Sequence, residues 1–317
     1  MTELTTVTTV GKPSEPNSSP RLGDGFQELI DELDTLAVNG GADSRNIPTG
    51  FLELDELTRG LAPGTLTVIG SHPGVGSSTL AMDFARSCAI QSGIPAAYLT
   101  LDTLPEAMRQ RMLSAEAKVQ LRHMLAGAMP EADWTRLARR MSEIADAPLD
   151  IQRPPERDIA QLAGQITDMA EQHGTRLVVI DPLHQLTARH DLPYENRERE
   201  IAEVTRRLKT LALDLRIAIV TTANLSSNPG PRQPIPVRPS LFDLRDSGVI
   251  GHVADLVVLI DRPDAWERDH ARGGEVDLIL AKHRHGATGI FTVAHQLHLC
   301  RMVDMAKGSL STPAPRA

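Results

Sequence analysis

Residues 68–80 read V-I-G-S-H-P-G-V-G-S-S-T-L. An apolar stretch runs into a glycine-bearing turn, and a hydroxyl-rich helix start follows. That order is the layout of G-x-x-x-x-G-K-[ST], a loop whose backbone N–H groups wrap phosphate oxygens. Gly76 fills the last glycine position and Ser78-Thr79 the hydroxyl position, but Ser77 occupies the lysine position and Ser71 the first glycine position. The N–H groups of Gly74, Val75, Gly76 and Ser77 remain available to hold a phosphate, aided by the N-terminus of the following helix. Ser78 or Thr79 offers a hydroxyl to Mg²⁺. A glycine turn without a ligand is the alternative. Loss of the lysine removes charge-assisted hydrogen bonds of roughly 1.5–3 kcal/mol each. It also removes a transition-state donor of a kind worth ~10²–10³ in rate.

A loop of this kind needs a sheet to hold it. Apolar runs predict strands at 65–70, 96–101, 176–181, 217–222 and 255–261. Helices are predicted near 78–92, 104–116, 131–146, 156–173 and 196–215, with Thr103-x-x-Glu106 as a capping box at the second. The unbroken apolar run Leu177–Ile180 suits a parallel sheet covered on both faces. Residues 275–282 and 287–294 flank His283-Arg284-His285-Gly286 and read as a hairpin. Prolines 229, 231, 234, 236 and 239, with Arg232 and Arg238, predict an exposed loop. Upstream, residues 1–22 are rich in Ser, Thr and Pro and are expected to be disordered. Phe26, Leu29, Ile30, Leu33 and Leu36 recur at helical spacing, which predicts a short helix at about 24–37 before a glycine break. Its apolar stripe can dock within the chain or on a neighbouring subunit. The expected division is a mostly disordered segment over 1–45 carrying that helix, an α/β domain over 46–305 and a disordered tail over 306–317.

Composition narrows the function classes. With 41% hydrophobic residues in 317, the chain can bury a full core. A net charge of −8 argues against binding nucleic acid by bulk electrostatics, although a local basic channel stays compatible with it. Aromatic residues make up only 3%, so contact with a single strand would be mainly to phosphates rather than by stacking. Cys88 and Cys300 have no metal or redox spacing, and the start MTELTTVTTV lacks the features of a signal peptide. No apolar run approaches the ~20 residues needed to span a bilayer. These features lead to the expectation of a cytoplasmic protein without membrane contact.

Longer stretches resemble the motor domain of bacterial replicative DNA helicases of the DnaB type. They are P-T-G-F at 48–51 with Leu54-Asp55, Gly60-Leu61 and Gly64; L-A-M-D-F-A-R at 80–86; R-M-L-S-A-E-A at 111–117; and D-W-T-R-L-A-R-R-M at 133–141. L-V-V-I-D at 177–181, D-L-R-D-S-G at 243–248 and K-H-R at 282–284 follow. The resemblance covers about 46–305 and not the helical front domain that contacts primase in such helicases; residues 26–36 resemble only their linker helix. It implies a RecA-like P-loop fold, with a mainly parallel sheet flanked by helices and a C-terminal β-hairpin. It further implies ATP and Mg²⁺ at subunit interfaces, a six-membered homo-oligomeric ring, and single-stranded DNA through its hole.

Individual roles follow from the same resemblance. Asp102 stands at the position of a glutamate that orients or deprotonates the attacking water, and Asp181 at that of a Mg²⁺-associated acid. Ser78 is the hydroxyl that would meet the ion. Asn224 stands in place of a glutamine that senses the γ-phosphate. Lys282 and Arg284 would reach into the next subunit's site, Arg284 as the finger on the γ-phosphate, with Lys282 a candidate to supply part of the missing charge in trans. Arg232, Arg238 and Arg245 belong to the segment facing the hole and would meet DNA phosphates, unless they form an ordinary arginine-rich surface. Scaffold positions match well, whereas reacting positions are shortened or neutralised. Two functions therefore stand side by side. One is an ATP-driven DNA helicase motor running 5′ to 3′ with impaired hydrolysis. The other is a catalytically weak DNA- or nucleotide-binding protein that co-assembles or competes with an active helicase, which the lack of similarity to the front domain favours. A recombinase or signalling ATPase of RecA type fits the K-H-R and D-L-R-D-S-G segments less well.

Overall fold

The computed structural model describes Gly23 and residues 25–38, 43–188, 197–226, 238–245, 247–267 and 269–305. The disorder expected over 1–22 and 306–317, and the proline-rich stretch with Arg232, lie outside the described residues. The chain divides into two compact units, 1–43 and 44–317. In the first, helix α1 (Phe26–Val38) forms where the apolar spacing predicted it, and Phe26, Leu29, Ile30 and Leu33 are half exposed.

The second unit is built on a nine-stranded sheet in the order β3-β2-β4-β5-β1-β6-β7-β8-β9. The strands are β1 (Leu66–Ser71), β2 (Ala96–Thr100), β3 (Leu149–Gln152), β4 (Leu177–Asp181), β5 (Ala218–Asn224), β6 (Leu256–Asp261), β7 (Glu275–His283), β8 (Gly289–Gln296) and β9 (Arg301–Asp304). From β3 to β6 every pairing is parallel; β6 to β9 pair antiparallel, the predicted hairpin being β7–β8. Strands β1, β2 and β4 are buried along their whole length, as continuous apolar runs require when both faces are covered. Helices α3 (Ser77–Arg86) and α4 (Pro105–Ala117) lie with one core cluster, centred on Phe84, Tyr98, Val179 and Val220. The opposite cluster joins α7 (Ile159–His173) and α8 (Arg197–Leu215) to Val68, Leu99, Ile180 and Ile219.

Local chemistry sets the element ends. Asp158 caps α7 by accepting from the N–H groups of Ala160 and Gln161. The helix predicted over 78–92 is α3 followed by a π-helical turn at Ser87–Gln91. At α4 the expected capping box is absent. Pro105, whose fixed φ suits a first helical turn, moves the N-cap to Leu104, and the Thr103 hydroxyl donates to Asp102 instead.

Strand β9 is tied to α3 through a buried charge. The Asp83 carboxylate, 6% exposed, accepts from the Met302 N–H at 2.8 Å and pairs with Arg86, which also meets Glu116. Burial lifts the Asp83 carboxyl to about 7, against the opposing pull of Arg86 and the Met302 amide. A carboxyl raised above its unfolded value of about 4 stabilises fully below that pH, and the contribution is lost as pH rises through the folded value. Asp83→Asn removes this titration. Melting temperature should therefore fall less steeply for the variant than for the wild type between about pH 4 and 7, the window set by the unfolded and folded values. Parallel melting curves would show that Asp83 does not titrate there.

A candidate phosphate site at one edge of the sheet, with basic residues at the other

Parallel pairing aligns the C-terminal ends of neighbouring strands, where crevices of α/β sheets take ligands. Asp181 ends β4, Asn224 ends β5, and Asp102 lies two residues beyond β2. The loop from His72 to Gly76 leaves β1 at the same edge, where Ser71 is in register with Asn224. The order β2-β4-β5-β1 thus sets these candidates side by side.

The loop has the form of a phosphate cradle. Gly74 has φ +78° with open space where a Cβ would point. Gly76 has φ +129°, and a Cβ there would come within 2.6 Å of the Met302 methyl. Glycine is required on both counts at Gly76. Val75 anchors the loop inward, 2% exposed. The first bond of α3 runs from the Leu80 N–H to the Gly76 carbonyl, and no side chain caps the helix. The N–H groups of Ser77, Ser78 and Thr79 therefore lack intrahelical acceptors. Polyphosphate fits this arrangement.

Cationic charge reaches the loop from a residue that motif reading misses. Arg262 follows β6, and its guanidinium approaches the Gly74 carbonyl to 3.4 Å while its Nε stands 3.0 Å from Asp264. Only the placement of β6 beside β1 brings it there, so motif spacing offered no signal. His72 meets Trp266 edge to face at 5.4 Å, and burial lowers its imidazole pKa.

Asp181 is 4% exposed and both of its carboxylate oxygens accept internal hydroxyls. The Tyr98 phenol donates to Oδ2 at 2.6 Å and the Thr222 hydroxyl to Oδ1. Burial, with Asp181 next to it, holds the Tyr98 phenol well above its ordinary pKa, so it stays a donor. Mg²⁺ keeps several ligating waters that need acceptors, and each oxygen of Asp181, a residue 4% exposed, already accepts one hydroxyl from a neighbouring strand. The carboxylate therefore does not fit the ion as well as the loop fits phosphate. Asp102, by contrast, is exposed and accepts only from the adjacent Thr103 hydroxyl at 2.9 Å.

Lys282 and Arg284 lie at the opposite edge. The Lys282 ammonium donates to the Gly251 and His252 carbonyls at 2.7 and 2.8 Å; burial, then Arg284, lowers its pKa. Arg284 donates to the Val253 carbonyl and pairs with Asp255 at 2.6 Å. Asp255 also accepts from Lys209 at 2.7 Å and from the N–H of Leu66, the first residue of β1. The six residues of β1, at ~3.3 Å each, put about 20 Å between this cluster and the loop. Of the basic residues assigned to DNA, Arg238 is half exposed and paired with buried Asp277 at 3.0 Å. Arg245 is exposed, and its N–H bonds the Asn224 carbonyl at 3.0 Å, which links that segment to the phosphate edge.

A glycine cradle at the C-terminal edge of a mainly parallel sheet, followed by an antiparallel hairpin, defines a RecA-like P-loop domain. The model for the DnaB-like helicase C-terminal domain matches residues 46–304, and the chain belongs to that family. It is 40% identical to the replicative DNA helicase DnaB of Leifsonia xyli over 87% of this chain and 60% of that one. The Mycobacterium leprae replicative DNA helicase DnaB is 41% identical over 92% of this chain and 46% of its own length. The chain thus spans about half the length of the curated relatives it matches. A solved DnaB-like replicative helicase, described with its interactions with primase, superposes with a TM-score of 0.81 at 22% identity, covering 90% of this chain and 69% of that one. No helix among the described residues is long and apolar enough to cross a membrane.

Proposed function

We propose that the chain is a DnaB-type motor domain that holds ATP at the Gly74–Thr79 loop, assembles with further copies into a ring around single-stranded DNA, and hydrolyses the nucleotide poorly. The observation that carries this reading is the opposed placement of its two charged elements. The loop holds phosphate at one edge, and Lys282 and Arg284 lie about 20 Å away at the other. Within one chain they have no common target; between adjacent chains they do. The loss of rate follows from Ser77, Asp102 and Asn224, where the groups that would grip, attack and sense are neutral or one methylene short. DNA contact rests on Arg232, Arg238 and Arg245 and would be weakened by salt. A cytoplasmic site of action accords with this function.

The test is ATP turnover and particle size with and without single-stranded DNA. A DNA-dependent rate about 10²-fold or more below that of an intact helicase of this family, from a multimer, is expected. A strictly monomeric particle would refute the shared site.

One feature supports a second reading. The loop lacks its own lysine, yet Lys282 and Arg284 remain. Such a chain can complete a neighbour's site while its own stays weak, which suits co-assembly with an active helicase. Mixing the chain with a helicase of the same family should then yield mixed particles, and Arg284→Ala should lower the turnover of the mixture by about 10³-fold at the sites it completes. Unmixed particles would dispose of this version.

A further inference from the structure

Both oxygens of the Asp181 carboxylate are engaged at the phosphate edge. Tyr98 is buried and delivers its hydroxyl from β2, Thr222 delivers its own from β5, and the two oxygens of Asp181 receive one each. The Tyr98 hydroxyl also stands 3.5 Å from the Ser78 carbonyl in the first turn of α3. The phenol therefore lies between the first turn of α3 and the carboxylate.

A carboxylate can accept about four hydrogen bonds in principle, but the remaining lone pairs of Asp181 sit in a side chain that is 4% exposed. Waters on Mg²⁺ would have to displace a hydroxyl that the sheet register holds in place, Tyr98 lying opposite Val179 and Thr222 opposite Ile69. Displacement would leave a buried hydroxyl unpaired, at a cost of roughly 1–3 kcal/mol. That opposes recruitment of the ion by about 5- to 150-fold.

We infer that Tyr98 and Thr222 have converted Asp181 from an ion-associated acid into a fixed tie between β2, β4 and β5, so that this loop holds the polyphosphate of ATP without help from Mg²⁺. The inference rests on the proposed binding of polyphosphate at Gly74–Thr79 and specifies its ion requirement. Arg262, which reaches the Gly74 carbonyl from its pairing with Asp264, would then have to supply cationic charge to the phosphates.

Titration of the full chain with a fluorescent ATP analogue, once in excess Mg²⁺ and once in EDTA, tests this. The two affinities should agree within about twofold. Tyr98→Phe keeps the ring and frees one oxygen of Asp181; for this variant Mg²⁺ should tighten binding by about tenfold or more. Thr222→Val frees the other oxygen and should shift the ratio in the same direction, which covers the case of one variant failing to fold. A wild type that binds tenfold better with Mg²⁺ overturns the inference and leaves the loop assignment standing. So do folded Tyr98→Phe and Thr222→Val chains that both stay indifferent to the ion. No binding in either buffer overturns the loop assignment itself, and this inference with it.

Discussion

Ser77→Lys should tighten ATP binding by about 10- to 100-fold while leaving turnover near that of the unmodified chain. A lysine there would add charge-assisted hydrogen bonds to phosphate oxygens, each contributing roughly 1.5–3 kcal/mol. The loop is ready to receive it: Gly74 and Gly76 already hold left-handed conformations and no side chain caps α3. Turnover depends on other groups. Asp102 is exposed and one methylene shorter than the glutamate implied by resemblance, and a misplacement of about 1 Å can cost ~10²-fold. Asp181 is occupied by Tyr98 and Thr222. Analogue titration and phosphate release, measured on the same preparation, separate the two effects. A jump in turnover of about 10²-fold from the single change would mean that the missing lysine was the only defect.

Asp255→Ala should be the most destabilising single change at the other edge. Its carboxylate, 4% exposed, bridges Lys209 and Arg284 and accepts the first N–H of β1. Truncation leaves the Leu66 N–H without its acceptor and Lys209 with only the Gly64 carbonyl, at a cost of about 3–5 kcal/mol. For a domain of this size that is a fall in melting temperature of roughly 6–20 °C. Arg284→Ala gives the contrast. Its side chain is 40% exposed, so its pairing with Asp255 is screened and its removal should cost no more than about 1 kcal/mol. Calorimetry on both variants checks the pair of values. A shift below about 3 °C for Asp255→Ala would show that water already reaches the cluster.

The sequence was most informative where periodicity is strong. The five buried parallel strands follow their apolar runs within one or two residues, and the hairpin follows its turn. Short elements escaped because four to seven residues give too little pattern: β3, β9, α5 (Leu121–Ala126) and α9 (Ser247–Val253) have no distinct signal of their own. At the capping position a fixed proline φ outweighed the Thr103 hydroxyl. The loop glycines and the Asp181 and Asn224 strand ends were legible because motif and strand boundaries coincide. The partners of Asp181 were not, since Tyr98 is 83 residues away and Thr222 is 41. Only sheet order makes them neighbours, and the same holds for Arg262 beside Gly74.

The clasp of β9 on α3 has a practical consequence. Met302 gives its amide to Asp83 and rests its methyl against Gly76, so the closing strand of the domain forms part of the wall behind the phosphate loop. A spectroscopic label near Asp304 would report ligand arriving at the loop, and a cleavage before Arg301 would slacken the loop from behind. The last described strand is, mechanically, the backstop of the most chemically specialised turn of the domain.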